Sequence, residues 1–197
     1  MTSARGHLVL VVGPSGAGKD TLIDYARARL QSDTDFHFVR RVITRSPSIG
    51  ENHEPVSIAE FQCRANAGAF ALHWQAYGFS YGIPSTVERQ LCRGTVVVAN
   101  SSRAIVPLAR LRYPKLLVIN VTVPVEVLSR RLVGRGRENA SSRKQRLARS
   151  DIDLIEGRDV LRINNVGSLD VAGEQFIDAL RACRPRRDDR EHSLLPE

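Results

Sequence analysis

Residues 13–21 constrain the fold of this chain more than any other segment. They read GPSGAGKDT and fit the phosphate-binding pattern G-x-x-x-x-G-K, with an apolar run before them and a helix-like stretch after them. Glycines let a loop wrap closely around a phosphate, and the N–H groups of the loop and the following helix supply a positive potential. The pattern therefore predicts a strand, a phosphate-binding loop and a helix in succession. The candidate phosphate contacts are Gly13, Pro14, Ser15, Gly16, Ala17, Gly18, Lys19, Asp20 and Thr21.

Residue 20 departs from the general form of this pattern. It is Asp20, where the pattern expects the serine or threonine that ligates Mg²⁺, and Thr21 supplies a hydroxyl one residue later. We therefore take Asp20 and Thr21 as candidate Mg²⁺ ligands, and Lys19 as the cation that follows a transferring phosphoryl group. The alternative, a glycine-rich turn that only caps a helix, is disfavoured because the strand, the spacing and the lysine all agree.

Composition narrows the class of protein. A chain of 197 residues with 42% hydrophobic and 25% charged residues is typical of one globular domain. Its net charge of +8 favours anionic partners, either nucleic acid or small phosphorylated molecules. The three cysteines lack the spacing of a metal site or a disulfide framework, which indicates the cytoplasm. The early apolar run Leu8–Val12 is too short to cross a membrane, so we expect no membrane partner.

The order of the apolar runs predicts an α/β fold. Runs rich in β-branched residues cover 8–12, 95–99 and 116–123, and turn residues and a helix-like segment follow each run. This alternation is typical of parallel strands joined by crossover helices, with the phosphate-binding loop at the carboxyl end of the first strand. Pro84 and Pro124 are good first-turn residues, and Ser57 with Glu60 forms a capping box. Helices are predicted at 21–30, 57–67, 84–92, 102–111, 124–132, 141–155 and 168–182.

Two regions interrupt this alternation within a single predicted domain at 1–183. Residues 40–83 are rich in Arg, Gly, Pro, His and aromatic residues, and we expect them to form an inserted substrate-binding lobe. Residues 130–149 are dense in arginine, and we expect them to form a lid. The tail 184–197 is charged and contains prolines, so we expect it to be disordered.

The ordered set of motifs resembles the guanylate-kinase-like branch of the nucleoside monophosphate kinases, over residues 7–180. The resemblance implies a P-loop NTPase fold: an α/β fold with a mostly parallel sheet, flanking helices, an inserted substrate-binding lobe and an Arg-rich lid. It also implies ATP as the phosphoryl donor, Mg²⁺ as its metal, and Asn164 near the adenine. The matching pieces are the phosphate-binding loop, Thr44-Arg45, Gly50-Glu51, Glu60-Phe61, the stretch 70–82, the arginines from Arg131 to Arg146, and Asn164.

The residues that read the guanine base in that family are absent. The family's glutamate and threonine fall on Leu72 and Ile83, and its two aspartates after the next strand fall on Asn100 and Ser102. A carboxylate is the natural acceptor for the N1–H and amino groups of guanine, and a leucine cannot replace it. One of the family's phosphate-binding arginines falls on Ser48. We therefore expect a phosphorylated acceptor that is not a guanine nucleotide.

A more specific resemblance accounts for these departures. The loop with Asp20 and the segments 43–45, 50–54, 81–84 and 100–103 are similar to the ribose 1,5-bisphosphate phosphokinase family, whose aspartate after the lysine matches Asp20. That family phosphorylates the 1-phosphate of ribose 1,5-bisphosphate with ATP, which gives 5-phospho-α-D-ribose 1-diphosphate in phosphonate catabolism. The resemblance implies the same reaction and a small phosphorylated sugar as substrate.

The resemblances also imply a division of the site residues. Lys19, Arg131, Arg135 and Arg146 would stabilise the charge of the transferring group. The acceptor oxygen belongs to an ionised phosphate, so no general base is needed. Arg45 is the first candidate for the acceptor phosphate, and Glu51 would orient Arg45 or touch the substrate. The acceptor contacts are expected at Arg41, Arg45, Glu51, His53, Tyr81, Asn100, Ser102 and Arg103.

Three alternatives stay open from the sequence. A guanylate kinase or another nucleoside monophosphate kinase would have the same fold and cofactor. A non-catalytic guanylate-kinase-like interaction module would share only the fold, but such modules can lose the loop lysine or the lid arginines, which this chain keeps. A nucleic-acid binder would use the positive charge, but the arginines concentrate in the lid and no nucleic-acid-binding signature is present. The oligomeric state is open.

Overall fold

The computed structural model describes residues 6–46, 52–134 and 155–185. The strands are β1 (Leu8–Val12), β2 (Phe36–Phe38), β3 (Arg41–Ile43), β4 (His53–Pro55), β5 (Phe70–Ala76), β6 (Phe79–Pro84), β7 (Val96–Asn100), β8 (Leu116–Thr122) and β9 (Val160–Asn164). The helices are α1 (Lys19–Leu30), α2 (Ile58–Asn66), α3 (Val87–Cys92), α4 (Val106–Arg112), α5 (Val125–Gly134) and α6 (Leu169–Ala182), with a 3-10 turn at Arg103–Ile105 before α4.

The central sheet consists of five parallel strands in the order β2-β7-β1-β8-β9. β1 lies in the middle, so its five side chains are covered on both faces and are all buried. This is why β1 appears in the sequence as a continuous apolar run rather than an alternating one. The register pairs Val11 with Asn100 and Val12 with Asn120, so the ends of β1, β7 and β8 meet at the edge where the phosphate-binding loop begins.

Two apolar layers enclose this sheet. On one face, Val9 and Val11 belong to a core that includes Phe176 and Ile177 of α6 together with residues of α1. On the other face, Leu8 and Leu10 belong to a core that includes residues of α3, α4, β5 and β6. Helices therefore cover both faces of the parallel sheet, as crossover connections require.

A second sheet lies within the segment predicted as the substrate-binding lobe. Its order is β4-β3-β6-β5, and β5 and β6 form an antiparallel hairpin. Tyr77 and Gly78 join them, with φ angles of 54° and 77°. Two consecutive positive φ angles are typical of the two-residue type I′ hairpin turn, whose twist matches that of the strands.

Contacts from the end of α4 fix the second sheet to the central domain. Arg112 donates a hydrogen bond from Nη1 to the carbonyl oxygen of Ala71, at 2.6 Å. The hydroxyl of the neighbouring Tyr113 donates to Oε1 of Glu88, also at 2.6 Å. Burial, and then this hydrogen bond, raises the pKa of Tyr113, so the phenol stays a neutral donor. These bonds hold β5 at a fixed place beside α3.

Most of the predicted elements are confirmed, with shifts at their ends. Ser57 caps α2 as expected, because its Oγ accepts the N–H of Glu60 at 3.1 Å. The prediction that Pro84 opens a helix was wrong: Pro84 ends β6 and pairs with Phe70, and α3 begins at Val87. The predicted helix 102–111 is divided between the 3-10 turn and α4, and the predicted helix 141–155 lies almost entirely outside the described residues.

Within the three described ranges, no helix is long and apolar enough to cross a membrane. The tail from residue 186 onward lies outside those ranges.

Candidate active site

The phosphate-binding loop connects β1 to α1 in a conformation that only glycines adopt readily. Gly13, Gly16 and Gly18 have φ angles of 141°, 89° and 91°. A Cβ at Gly13 would lie 2.3 Å from the carbonyl oxygen of Val121, and one at Gly18 would lie 2.3 Å from Nδ2 of Asn165. Conformation and close packing therefore both require glycine, and the loop leads directly into the N-terminus of α1.

Lys19 is the first residue of α1 and its side chain lies over the loop. Its Nζ donates hydrogen bonds to the carbonyl oxygens of Gly13 and Pro14, each at 2.9 Å. The ammonium group is therefore held beside the same backbone segment that would surround a phosphate chain. This is the location that the sequence pattern predicts for the loop lysine.

Asn165 and Arg131 hold the opposite side of the loop. Asn165, which is 6% exposed, donates from Nδ2 to the carbonyl oxygen of Ala17 at 2.7 Å. Arg131 of α5 donates to the same oxygen at 3.4 Å and to the carbonyl oxygen of Asn165 at 3.1 Å. The lid arginine predicted from the sequence thus lies against the phosphate-binding loop.

Asn165 was missed by the sequence reasoning, which selected Asn164. Asn164 is exposed at the end of β9, whereas Asn165 is buried. The two residues are identical in type, so only their place in a strand distinguishes them. Alternation from the buried Ile163 places Asn165 on the buried face, but the sequence analysis did not predict β9.

Asp20 lies where α1, β7 and the second sheet converge. Its Oδ1 accepts a hydrogen bond from Nδ2 of Asn100 at 2.6 Å. The guanidinium of Arg41, on β3, is 3.9 Å from the same oxygen. Asp20, the residue that departs from the general loop pattern, therefore contacts two residues that the sequence predicts to bind the acceptor.

An aromatic stack continues from Arg41 into the second sheet. Its guanidinium lies 5.9 Å from the ring centre of Tyr81, and that ring stacks on Trp74 with centres 5.5 Å apart and planes at 7°. Trp74 is 8% exposed, and the sequence reasoning did not count it among the site residues. This stack gives Arg41 a rigid apolar support, since cations are attracted to the face of an aromatic ring.

Arg45 and His53 are brought together by the parallel pairing of β3 with β4. His53 is only 2% exposed, and its Nε2 lies 2.9 Å from the carbonyl oxygen of Arg45. The guanidinium of Arg45 lies 5.6 Å from the ring centre of Phe79. His53 thus contacts the backbone that carries Arg45.

The segment after β7 carries the remaining predicted acceptor residues. Asn100 ends the strand, and Oγ of Ser102 accepts the N–H of Ala104 at 3.3 Å, which starts the 3-10 turn. Arg103 is the first residue of that turn and is half-buried. This segment lies beside the phosphate-binding loop, since the N–H of Ser101 donates to the carbonyl oxygen of Val11.

The two positions that read guanine in guanylate kinases are part of the core here. Leu72 and Ile83 are directly paired across β5 and β6, and they are 1% and 0% exposed. Both belong to the apolar cluster that covers the central sheet. Neither side chain offers a hydrogen-bonding group, as the sequence comparison with that family implied.

Three predicted site residues lie outside the described residues, namely Glu51, Arg135 and Arg146, as does Ser48. Within the part of the chain that is described, no group of three or more His, Cys, Asp or Glu side chains could hold a metal ion. The first turn of α1, directly after the loop, carries two oxygen donors, Asp20 and Thr21.

Comparison with known proteins gives consistent results. No protein-family model matches this chain. It is 49% identical over 179 residues to the ribose 1,5-bisphosphate phosphokinase PhnN of Acidiphilium cryptum, covering 91% of this chain and 94% of that protein. It is 46% identical over 175 residues to the protein of the same name from Agrobacterium fabrum, covering 88% and 96%.

Among solved structures, the guanylate kinase from Anaplasma phagocytophilum superposes with a TM-score of 0.64 at 18% identity, covering 95% of this chain and 90% of that one. At this level of identity the likeness shows the fold alone. The predicted α/β fold of the P-loop kinases is thereby confirmed.

Proposed function

The chain belongs to the ribose 1,5-bisphosphate phosphokinase family, and from this premise we propose that it phosphorylates ribose 1,5-bisphosphate with ATP. An oxygen of the 1-phosphate forms a bond to the γ-phosphorus of ATP, and the bond from that phosphorus to the β-bridging oxygen breaks. The products are ADP and 5-phospho-α-D-ribose 1-diphosphate, in phosphonate catabolism. The observation that carries this assignment is the identity of 46% and 49% over nearly the whole of two relatives with this name.

The phosphate-binding loop fits the phosphate chain of ATP. Its glycine conformations open the loop backbone toward a ligand, and a side chain at Gly13 or Gly18 would collide with the structure around it. Lys19 is held by two loop carbonyl oxygens, so a short movement of its Nζ would bring it onto the phosphates. We assign residues 13–19 and Thr21 to ATP, and Asn164 to the adenine side as implied by the resemblance.

The first turn of α1 fits the metal of such kinases. When bound, Mg²⁺ would offset the negative charge of the ATP phosphates. It takes most of its ligands from phosphates and water, so the small donor set near the loop is sufficient. The loop pattern offers Thr21 and Asp20 as candidates to hold it, and we assign it to Thr21 because Asp20 contacts Asn100 and Arg41.

The acceptor half offers positive charge and hydrogen-bonding groups. Arg41 and Arg45 lie on or beside β3, where the aromatic rings of Tyr81 and Phe79 support their guanidinium groups. We assign both to the phosphates of the sugar. Asn100, Ser102, Arg103 and Tyr81 are assigned to hydroxyls or a phosphate, and Glu51 and His53 to the orientation of Arg45. Since the attacking phosphate oxygen is already ionised, positioning and charge neutralisation supply the catalysis.

The lid arginines are assigned to the charge of the transferring group. Arg131 lies against the loop through its bonds to the carbonyl oxygens of Ala17 and Asn165. It is therefore within reach of a phosphate chain held by that loop. We expect Arg135 and Arg146 to join it when the lid closes.

We also expect the protein to act in the cytoplasm.

A substrate panel tests the assignment. The protein is incubated with ATP and Mg²⁺ and with ribose 1,5-bisphosphate, GMP, AMP or no acceptor, and phosphorus NMR identifies which molecule gains a diphosphate. The expected result is a new diphosphate on the sugar only. Strong turnover of GMP without turnover of the sugar would instead identify a guanylate kinase. No turnover with any acceptor, although MgATP binds, would favour the non-catalytic interaction module.

A further inference from the structure

Asp20 sits at the boundary between the two halves of the site. It follows Lys19 on the first turn of α1, yet its Oδ1 contacts β7 and β3. One is the hydrogen bond from Nδ2 of Asn100 at 2.6 Å, across 80 residues of sequence. The other is the ion pair with Arg41 at 3.9 Å. Two groups assigned to the acceptor thus converge on one carboxylate oxygen.

The bond to Asn100 fixes the orientation of its side-chain amide, in a residue that is only 8% exposed. An amide has a donor end and an acceptor end, and a carboxylate accepts only from the donor end. With Nδ2 bound to Asp20, the Oδ1 of Asn100 is left as an acceptor. Sugar hydroxyls are donors that such an oxygen can accept, whereas a neutral or hydroxyl side chain at position 20 would let the amide turn over.

The ion pair with Arg41 has a corresponding effect on the cation. The side chain of Arg41 is 15% exposed, and its guanidinium lies 3.9 Å from Oδ1 of Asp20 and 5.9 Å from the ring centre of Tyr81. A charge that is partly withdrawn from water is screened less than one at the surface, so its placement affects affinity for an anion. A cation bound directly at Oδ1 of Asp20 would lie beside the positive charge of Arg41, which disfavours that oxygen as a metal ligand.

We propose that Asp20 is a positioning residue of the acceptor pocket, which acts through Asn100 and Arg41, rather than a magnesium ligand. The inference rests on the proposed function, because it assigns Asn100 and Arg41 to the sugar phosphate. It explains why this loop carries an aspartate where the general pattern has a hydroxyl. A hydroxyl cannot accept from an amide and balance a guanidinium at the same time.

The test compares Asp20→Asn, which keeps the size of the side chain, with Asp20→Ser, which restores the general loop pattern. For each variant we measure the KM for ribose 1,5-bisphosphate, the Mg²⁺ concentration at half-maximal rate, and the affinity for MgADP by calorimetry without acceptor. Asp24→Asn is the matched control, because Asp24 lies one turn further along α1, is exposed and pairs with Arg27. MgADP binding also shows that each variant is folded.

The expected result is a rise of roughly tenfold or more in the acceptor KM of both Asp20 variants, the effect of losing a charge-assisted hydrogen bond. The affinity for MgADP and the Mg²⁺ concentration at half-maximal rate should stay within about threefold of the wild type. A difference of that size is expected from a substitution that does not contact the nucleotide or the metal. An unchanged acceptor KM would overturn the inference. So would an acceptor KM that rises together with an equal shift in the Mg²⁺ concentration at half-maximal rate, because a metal ligand would produce both. A wild-type protein that does not use ribose 1,5-bisphosphate would overturn the proposed function instead.

Discussion

Replacement of Leu72 by glutamate would give this chain the residue that reads guanine at the same position in guanylate kinases. The structure predicts that this change destabilises the protein without creating a guanine site. Leu72 is 1% exposed and faces Ile83 across the hairpin. Loss of its buried apolar surface costs about 1.5–3 kcal/mol. Burial of an unpartnered polar group adds about 1–3 kcal/mol, for a total of roughly 3–6 kcal/mol.

A loss of this size is a large part of the stability of an ordinary domain, which is about 5–15 kcal/mol. For a chain of this length each kcal/mol lowers Tm by about 2–4 °C, so a fall of roughly 6–24 °C is expected. The cost should also depend on pH. Burial raises the pKa of the glutamate in the folded protein above its value of about 4.3 in the unfolded chain. The folded state therefore loses stability as pH rises from about 4.3 through the raised pKa of the folded state. The deficit should therefore be larger at pH 8 than at pH 5.

Thermal unfolding followed by circular dichroism measures both effects. Leu72→Met is the matched control for volume and should cost less than about 1.5 kcal/mol. Leu72→Gln controls for polarity without charge, so only the glutamate variant should show the added pH dependence. Turnover of GMP is measured on the same samples at a temperature where they are folded. A glutamate variant that melts like the wild type at every pH and phosphorylates GMP would refute the placement of Leu72 in the core.

Three further changes test other contacts. Lys19→Ala should lower kcat by about 100-fold or more, because the negative charge of the transferring group loses a stabilising cation, while Tm should change little. ADP release measures kcat and thermal unfolding measures Tm. A variant with normal kcat would contradict the role of Lys19 in stabilising the transferring group. Asn165→Ala should lower Tm by roughly 2–12 °C and raise the KM for MgATP, because the buried carbonyl oxygen of Ala17 loses its 2.7 Å hydrogen bond. A variant with the KM and Tm of the wild type would show that this bond contributes to neither. The Arg110 guanidinium lowers the pKa of Asp159, so this ion pair stabilises the fold above the ordinary pKa of an aspartate and is lost as pH falls. Asp159→Asn should therefore lower Tm at pH 7, and only by a few degrees because the pair is partly exposed and contributes about 1 kcal/mol or less. The difference from the wild type should shrink as pH falls below about 3.9, the ordinary pKa of an aspartate. A difference that stays constant as pH falls would show that the charge is not the cause.

Much of the fold was predictable because its signals are local. The apolar run of β1, the glycines of the loop and the lysine that begins α1 are contiguous, and their order alone implies a strand, a loop and a helix. Ser57 and Glu60 are three residues apart and form the cap that the sequence predicts. The strands β2 and β9 were missed because short strands at the margins of a sheet carry only a weak local pattern.

The candidate site was predictable only in part. The cationic residues Arg41 and Arg45 could be selected from the family resemblance, but their support by Tyr81 and Phe79 depends on the register between β3 and β6. His53 was predicted as an acceptor contact, but nothing in the sequence indicated that it is buried. Its burial follows from the parallel pairing of β4 with β3, which no local signal indicated.

The sequence by itself determined that a loop with a phosphate-binding pattern follows a buried strand, and that leucine and isoleucine stand where the resembling guanylate kinases carry the residues that read guanine. Only the tertiary structure decided that those two side chains pack in the core, that Asn165 rather than Asn164 holds the loop, and that Asp20 bonds to Asn100. These contacts join residues that are 80 and 148 positions apart. Their partners are set by strand order and helix packing, which bring distant segments to the same edge of the sheet, whereas a local pattern fixes only the conformation of its own segment.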